Sequence, residues 1–245
     1  MASIDQIATA LISAHRTGTR ITAPQRSLSR AEILAIQTKV AATLGAVAGF
    51  KVGNVLDGLP ILAPLPAIYT VANGAARAVR DMLGIELEIG FKVIQALPPG
   101  DLPPRLQDYL RPYAVLELVD SRLDTQALSE DWKFCDFQMN AGLVVGTGPQ
   151  AWDGTDFSTV RVKLADGTHI CLDDTVSVPG GSALANLERL NRHLGVHCGG
   201  IQPGQTLITG SLTGLSYFTP GRTIIGEIAG LGHVTVTLAH ENLHP

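Results

Sequence analysis

The sequence is poor in cysteine, in charged residues and in long apolar runs, and each shortage excludes a class of protein. Its 245 residues include three cysteines, Cys135, Cys171 and Cys198, which are widely spaced and form no CxxC motif. This pattern fits neither a disulfide framework nor a zinc site, so we expect reduced, structural thiols. Only 16% of the residues are charged, 18 basic and 22 acidic, and no Lys/Arg cluster is present to follow a phosphate backbone. We therefore expect no nucleic-acid partner.

No segment of the sequence stays apolar for long enough to predict a membrane span. The stretch MASIDQIATALISAHR contains Asp5 and lacks the basic leader and continuous apolar run of a secretory signal. These features predict a soluble, cytoplasmic protein with no membrane partner. The length allows one large domain or two small ones. We expect a single domain over residues 1–245, helical at 1–50 and rich in β-strands at 51–245.

The residue patterns predict helices first and strands afterwards. Ser3 with Gln6, and Ser29 with Glu32, have the form of capping boxes, and apolar residues at helical spacing follow each of them. The prolines of GLPILAPLPA (58–67) exclude a helix or a central strand there. From about residue 84, β-type segments follow, with a hairpin signal at Asp166-Gly167 and one helix in SALANLERLNRHLG. This order predicts an α+β fold: N-terminal helices, then a large, mixed, mostly antiparallel β-sheet or barrel.

The most unusual pattern is the pair of glutamates in GIELEIGF (84–91). Strand alternation places Glu86 and Glu88 on the same face, where like charges repel each other. Either this face is solvated, as for most strand glutamates, or a divalent cation neutralises it. Mg²⁺ or Mn²⁺ binds such carboxylate oxygens. A third ligand would then come from AVLELVDSRL, where Glu117 and Asp120 are the candidates.

Several common site motifs are absent from the sequence. The seven histidines show neither HxH nor HExxH spacing, which disfavours zinc, and none of them stands out as a catalytic base. There is no GxSxG, Walker loop or GxGxxG motif. Serine hydrolases, P-loop enzymes and dinucleotide-binding proteins are therefore not the first candidates.

An ordered set of motifs resembles one enzyme family over nearly the whole chain. The motifs are GFKVG (49–53), ELE (86–88), LELVDSR (116–122), DFQMNAGLVVG (136–146) and GQTLITGSLT (204–213). Together they resemble the 2-keto-4-pentenoate hydratase and 4-oxalocrotonate decarboxylase branch of the fumarylacetoacetate hydrolase superfamily. The resemblance implies a mixed β-fold around a divalent-metal site, a homo-oligomer and a role in aromatic catabolism.

The resemblance also implies a role for the acidic motifs and for the lysine. Glu86, Glu88 and Glu117 match the family's metal ligands, with Mg²⁺ or Mn²⁺ as the cofactor. Lys51 of GFKVG matches a lysine that reaches the substrate and moves protons at carbon; the alternative is an ordinary surface lysine. Asp120 is a candidate catalytic residue that would pair with Arg122 to orient Glu117, unless the two form a plain surface salt bridge.

Four further residues match segments that shape the substrate pocket in this family. Asp136 and Asn140 belong to the D-x-x-x-N stretch, and their alternative roles are a loop aspartate and a turn asparagine. Ser211 and Thr213 of TGSLT would donate hydrogen bonds to a substrate carboxylate, or else simply close a strand.

The activity implied is metal-dependent addition of water to a 2-hydroxy-2,4-dienoate, which gives a 4-hydroxy-2-oxo acid. The alternatives are decarboxylation of a 4-oxalocrotonate-type 2-oxo acid and a catalytically inert partner subunit with the same fold. Acylpyruvate hydrolysis is a further possibility, but it usually needs a histidine on a lid. The chain departs from the family at Phe50, where a basic residue is usual, and in the apolar stretch that follows Lys51. That stretch is expected to form a loop beside the pocket and to favour a less polar substrate tail.

Overall fold

The chain opens with two helices that begin where the capping boxes predict. The computed structural model describes residues 2–124 and 128–241. Helix α1 spans Ile4–Thr17 and α2 spans Arg30–Leu44. In each helix, the N-cap serine hydroxyl accepts a hydrogen bond from a backbone N–H three residues on, and the side chain there accepts one from the serine N–H. Both predicted caps are therefore confirmed.

The other described elements are two sheets, two further α-helices and four 3₁₀ helices of three residues each. The strands are β1 (Val47–Leu56), β2 (Leu59–Pro66), β3 (Thr70–Ala72), β4 (Ala76–Val79), β5 (Leu83–Val93), β6 (Leu110–Val119), β7 (Asn140–Val145), β8 (Thr159–Asp166), β9 (His169–Ser177), β10 (Thr206–Ser211), β11 (Ser216–Phe218), β12 (Thr223–Ile228) and β13 (Gly232–His240). The helices are α3 (Glu130–Cys135) and α4 (Ala183–Leu194).

The sheets are mixed and mostly antiparallel, as predicted. The larger sheet has the order β2-β1-β10-β5-β6-β7-β3, with β11 paired to β5, and the smaller has the order β4-β13-β12-β8-β9. Parallel pairing joins β1 to β10, β3 to β7 and β4 to β13, and the other recorded pairs are antiparallel. The hairpin predicted at Asp166-Gly167 joins β8 to β9. The α+β fold class is confirmed.

The main apolar core lies between the two sheets. Leu87 of β5 and Leu116 of β6 are fully buried and project toward Gly226 of β12, where a Cβ atom would collide with Leu87. Glycine at this position therefore allows the sheets to approach closely. The opposite face of β5 carries Glu86 and Glu88, because side chains alternate along a strand.

The largest difference from the sequence prediction lies before residue 84: the chain was expected to be rich in β-strands from residue 51, but β1 to β4 were not assigned individually. The sequence around β1 is rich in glycine, and Gly49 is needed because a Cβ would overlap the backbone of Thr206 in the parallel partner strand. The proline-rich β2 is an edge strand, which agrees with the exclusion of a helix or central strand there. The predicted helix at 182–195 is confirmed as α4.

The remaining global predictions can be checked on the described residues. All three cysteines lie among them and are free thiols, as expected. No helix in residues 2–124 or 128–241 is long and apolar enough to cross a membrane.

Candidate metal centre and pocket

Strand pairing brings the three predicted metal ligands together. In the antiparallel pair of β5 and β6, Glu86 lies directly opposite Glu117, and on the other side of β5 Glu88 lies opposite Ser211 of β10. Glu86, Glu88 and Glu117 each offer a carboxylate oxygen, and these oxygens all lie within 4.8 Å of one another. An all-carboxylate set is the ligand chemistry that Mg²⁺ and Mn²⁺ prefer.

Neighbouring groups fix the orientation of two of the ligands. Lys51 Nζ donates hydrogen bonds to both carboxylate oxygens of Glu117 at 2.6 Å, and Asn140 Nδ2 donates to Glu117 Oε1 at 2.8 Å. The backbone N–H of Gly210 donates to Glu88 Oε2 at 2.7 Å. Bonds of this kind hold ligands in place for a metal.

The charge in the cluster is only partly balanced by the protein. Burial, and then the negative charge of Glu117, raise the pKa of Glu88 well above its usual value. Burial also raises the pKa of Glu86, although Lys51 opposes this. The pKa of Lys51 is raised, because the three carboxylates together outweigh the effect of its burial. One ammonium thus faces three buried or half-buried carboxylates, and a divalent cation would supply the missing positive charge.

A pocket of about 360 Å³ opens onto Glu86 and Glu88. Gln138 and Ser211 line this pocket, and the buried Gln138 Oε1 has no hydrogen-bond partner among the described residues. Asn140 Oδ1, beside Glu117, is also buried without a hydrogen-bond partner among the described residues. Buried polar atoms without partners are rare, and their position here indicates a site for a polar ligand or hydrated ion. The rest of the lining is Lys51, Val52, Gly53, Asn54, Val55, Pro179, Gly180, Asn186, Arg189, Thr209 and Gly210.

A buried ion pair clamps the segment that carries Gln138 and Asn140. Arg122 Nε donates to Asp136 Oδ1 at 2.7 Å, and Arg122 also donates to the backbone oxygens of Asp136 and Asn140. Between them, residues 137–139 all have left-handed backbones, with φ values of 52°, 51° and 60°. Such conformations are strained in residues other than glycine and persist only where the surroundings impose them. Asp136 therefore positions the segment and does not line the pocket.

The predicted pairing of Asp120 with Arg122 is wrong. Asp120 follows the end of β6, where its Oδ1 accepts hydrogen bonds from the Ser121 backbone N–H at 2.8 Å and from Arg20 at 2.7 Å. Its side chain is 41% exposed and does not line the pocket. The structure thus does not bring Asp120 to the site.

Thr213 also lies outside the pocket lining, whereas Ser211 is part of it. The Thr213 hydroxyl accepts a hydrogen bond from the Leu87 backbone N–H at 3.2 Å. It thereby ties the chain after β10 to the middle of β5.

The apolar stretch after Lys51 forms a hairpin of β1 and β2 and not a loop, and its first residues border the pocket as expected. Ile61 and Ala63 of β2 are buried in the core against α1 and α2. Within this stretch, the pocket is lined only by residues 52–55 at the end of β1. Most of its apolar residues pack in the core, but Val52 and Val55 line the pocket, so the less polar substrate tail stays a prediction.

No histidine of the described chain lines this pocket. His15 stacks on Tyr69, and burial together with the charge of Arg122 lowers its pKa to about 2. It is therefore a neutral packing residue, in agreement with the lack of an obvious histidine base in the sequence.

Loss of the buried Arg122–Asp136 ion pair is expected to destabilise the fold, whereas loss of the exposed Arg20–Asp120 pair is expected to have little effect. Asp136→Asn leaves Arg122 buried without a counter-charge, which costs about 3–5 kcal/mol of unfolding free energy. Asp120→Asn removes the exposed pair with Arg20, for which about 0–1 kcal/mol is expected. Urea denaturation of both variants measures the difference. Equal losses for the two variants would contradict the positioning role of Asp136.

Several pocket residues were not predicted from the sequence. Gln138 lies inside a motif that was recognised, but its backbone conformation gave no sequence signal. Asn186 and Arg189 belong to a helix recognised only by its leucine stripe, and their side chains line the pocket from the polar side of α4. Gly210 contributes through its backbone N–H, which sequence patterns do not reveal.

Known structures share this architecture. 4-Oxalocrotonate decarboxylase from Pseudomonas putida G7, complexed with magnesium and adipate, matches with a TM-score of 0.79 and 17% identity over 97% of this chain and 99% of that one. Fumarylacetoacetate hydrolase from Exiguobacterium antarcticum matches with a TM-score of 0.57 and 15% identity over 81% and 76%. Fumarylpyruvate hydrolase from Pseudomonas aeruginosa, in complex with Mn²⁺ and pyruvate, matches with a TM-score of 0.54 and 16% identity over 78% and 89%.

The chain has the fold of the fumarylacetoacetate hydrolase superfamily. Within that fold, it matches 4-oxalocrotonate decarboxylase over almost the full length of both chains. No protein-family model matches the sequence, and no curated protein matches it either. The resemblance stated from the motifs is thus confirmed in the fold of the structural neighbours.

Proposed function

We propose that the protein is a divalent-metal-dependent enzyme that adds water to a 2-hydroxy-2,4-dienoate. The observation that carries this proposal is the cluster of Glu86, Glu88 and Glu117, with Lys51 bonded to Glu117, at the base of an open pocket. The neighbours complexed with magnesium, and with Mn²⁺ and pyruvate, support a metal and a 2-oxo acid at such a site. Magnesium or manganese is the proposed cofactor.

Each residue of the site has a defined task in this proposal. When bound by the three glutamates, the metal would act as a Lewis acid and as a template for the substrate's 1-carboxylate and 2-oxygen. Gly210 and Asn140 hold Glu88 and Glu117 in position, so the ligands need little rearrangement. Lys51 lines the pocket and carries a proton close to the ligand cluster.

The proposed reaction needs two proton movements, and Lys51 is placed to assist the first. The Lys51 ammonium would give a proton to C5 and take up the proton that the 2-hydroxyl of the dienoate loses, which gives the 2-oxo-3-enoate. Water then adds across the remaining double bond: its oxygen bonds to C4, and C3 is protonated. The product is a 4-hydroxy-2-oxo acid.

Decarboxylation is the second candidate, and the overall structural similarity favours it. The 4-oxalocrotonate decarboxylase matches with a TM-score of 0.79. Loss of carbon dioxide from a 2-oxo-3-enedioate leaves a dienolate whose negative charge is delocalised onto the 2-oxygen. A site that stabilises charge on this oxygen supports either reaction. An inert subunit is disfavoured, because buried carboxylates with no chemical role would only cost stability.

Product analysis tests the proposal directly. The protein with Mg²⁺ is incubated separately with 2-hydroxypenta-2,4-dienoate and with 4-oxalocrotonate. The masses of the products are then measured by mass spectrometry. A gain of water by the first compound is the expected result. If 4-oxalocrotonate loses carbon dioxide and 2-hydroxypenta-2,4-dienoate is not hydrated, the proposed hydratase is wrong and decarboxylase takes its place. No change in either compound would remove both proposals.

A further inference from the structure

One buried amide oxygen at the pocket has no hydrogen-bond partner among the described residues. It is Oε1 of Gln138, which lines the same pocket as Lys51, Glu86 and Glu88. The backbone oxygen of Gln138 accepts a hydrogen bond from Lys51 Nζ at 3.4 Å. The unpaired oxygen therefore belongs to a residue in direct contact with the proposed proton donor.

The backbone that carries this side chain is held in a strained conformation. Gln138 has φ 51° and ψ 42°, in the left-handed region. On either side of it, Arg122 donates hydrogen bonds to the backbone oxygens of Asp136 and Asn140. Glycine would adopt these angles without strain, but it would bring no side chain to the pocket. Strain of this kind persists where the surroundings impose it, often at functional sites. The Arg122 contacts thus serve to place the Gln138 amide.

The chemistry of the site limits what can bind this oxygen, because an acceptor needs an N–H or O–H donor. An ammonium has three N–H donors, and those of Lys51 have three acceptors already: both carboxylate oxygens of Glu117 and the Gln138 backbone oxygen. The Thr209 hydroxyl, also in the lining, donates to the Ile89 backbone oxygen at 2.9 Å. Once the dienoate is ketonised, its 1-carboxylate and 2-oxygen are acceptors only. The remaining reactant, water, is a donor.

We propose that Gln138 Oε1 binds the water molecule that adds to C4 of the substrate. This inference rests on the proposed function, since it assigns a residue to the hydration step of that reaction. A water that donates one O–H to Oε1 is held in place and keeps its lone pairs for bonding to C4. Gln138 is a catalytic residue in this assignment, because it contacts a reacting molecule.

The amide orients the water and does not take its proton. The water oxygen bonds to C4, and the electron pair of the C3–C4 double bond moves toward the 2-oxygen, which gives an enolate. C3 then takes up a proton as the enolate returns to the 2-oxo form. The oxygen added at C4 releases one proton to the solvent of the open pocket. One water is consumed in total, and no oxidant or reductant takes part.

The two steps should be separable, because Lys51 acts at C5 and Gln138 acts on the water. Gln138→Met keeps the volume and loses the acceptor, whereas Gln138→Gly loses the whole side chain and relieves the left-handed backbone. The Mg²⁺-loaded proteins are given 2-hydroxypenta-2,4-dienoate in D₂O. Proton NMR then follows deuterium incorporation at C5 and formation of 4-hydroxy-2-oxopentanoate. Both variants are expected to hydrate the substrate about 10²-fold more slowly and to incorporate deuterium at the wild-type rate.

Two further variants calibrate this result. Lys51→Met should lose deuterium incorporation and hydration together, since it lacks the donor for the first step. Gln95→Met, at an exposed position outside the pocket lining, should keep both rates.

The possible results separate this inference from the proposed function. Hydration at the wild-type rate in either Gln138 variant would overturn the role of Gln138 and leave the hydratase intact. An equal loss of deuterium incorporation and hydration in both variants would overturn it as well, because the whole site would then depend on Gln138. Absence of hydration by the wild-type protein would overturn the proposed function and the inference with it.

Discussion

Replacing Glu88 by glutamine is expected to raise the melting temperature of the metal-free protein and to abolish its response to Mg²⁺. Glu88 is only 2% exposed and lies beside two other carboxylates, so its charge is unfavourable without a metal. Glutamine keeps an oxygen that accepts the hydrogen bond from Gly210, but it removes the charge. The substitution therefore relieves repulsion and weakens the metal site in one step.

The size of the metal response follows from linkage. A ligand present at about 1,000 times its Kd stabilises the folded state by about 4 kcal/mol. For a chain of this length, each kcal/mol shifts the melting temperature by about 2–4 °C. Differential scanning calorimetry with and without MgCl₂ should thus show a shift of roughly 10 °C for the wild type and almost none for Glu88→Gln.

Glu227→Gln is the matched control for this experiment. Glu227 lies on β12 of the other sheet and is exposed, so its replacement should keep the full response to Mg²⁺. A normal Mg²⁺ shift in Glu88→Gln would show that Glu88 is not a metal ligand. A fall in the melting temperature of the metal-free variant would show that the negative charge of Glu88 is not a source of instability.

Lys51→Met is expected to lower activity by about 10²- to 10⁴-fold and to make stability depend more strongly on metal. Lys51 is 6% exposed and is bonded to both oxygens of Glu117, which is fully buried. Methionine fills a similar volume but leaves Glu117 without its counter-charge, which costs about 3–5 kcal/mol in the metal-free protein. Bound metal would restore part of the lost unfolding free energy, since it also neutralises the charge of Glu117.

Two measurements on Lys51→Met distinguish catalysis from structure. The increase in melting temperature on adding Mg²⁺ should be larger than in the wild type, while product formation at saturating Mg²⁺ stays low. Recovery of full activity at saturating Mg²⁺ would assign Lys51 a purely structural role. Lys163→Met on β8, outside the pocket lining, is the control for the loss of a lysine and should retain activity.

The metal cluster was predictable from the sequence because its geometry is local to paired strands. ELE places two carboxylates on one face by alternation, and Glu117 is a charge within an apolar strand, so each residue carried a signal of its own. The helices α1 and α2 were predictable for a similar reason, since a capping box is complete within four residues.

The second half of the pocket was not predictable, because its geometry depends on distant contacts. The segment that carries Gln138 takes left-handed backbone angles only because Arg122 clamps it from another part of the chain. Arg189 is one of several charged residues on α4, and only the packing of that helix against β10 selects it for the pocket. Strands β1 and β2 were missed because their glycines and prolines lower strand propensity, which sheet pairing overrides. Strands β3 and β4 are only three and four residues long, too short for a clear alternating pattern.

The pairing of Glu86 with Glu117 also has a consequence for how the sheet assembles. A shift of one residue between β5 and β6 would turn every side chain of one strand to the opposite face. One or more of the glutamates would then point into the apolar core between the two sheets, where Leu87 and Leu116 pack against Gly226. An isolated charge in such a layer is so costly that a misaligned sheet would not compete with the native one. The acidic residues thus favour the native register of β5 and β6 during folding, before any cation binds.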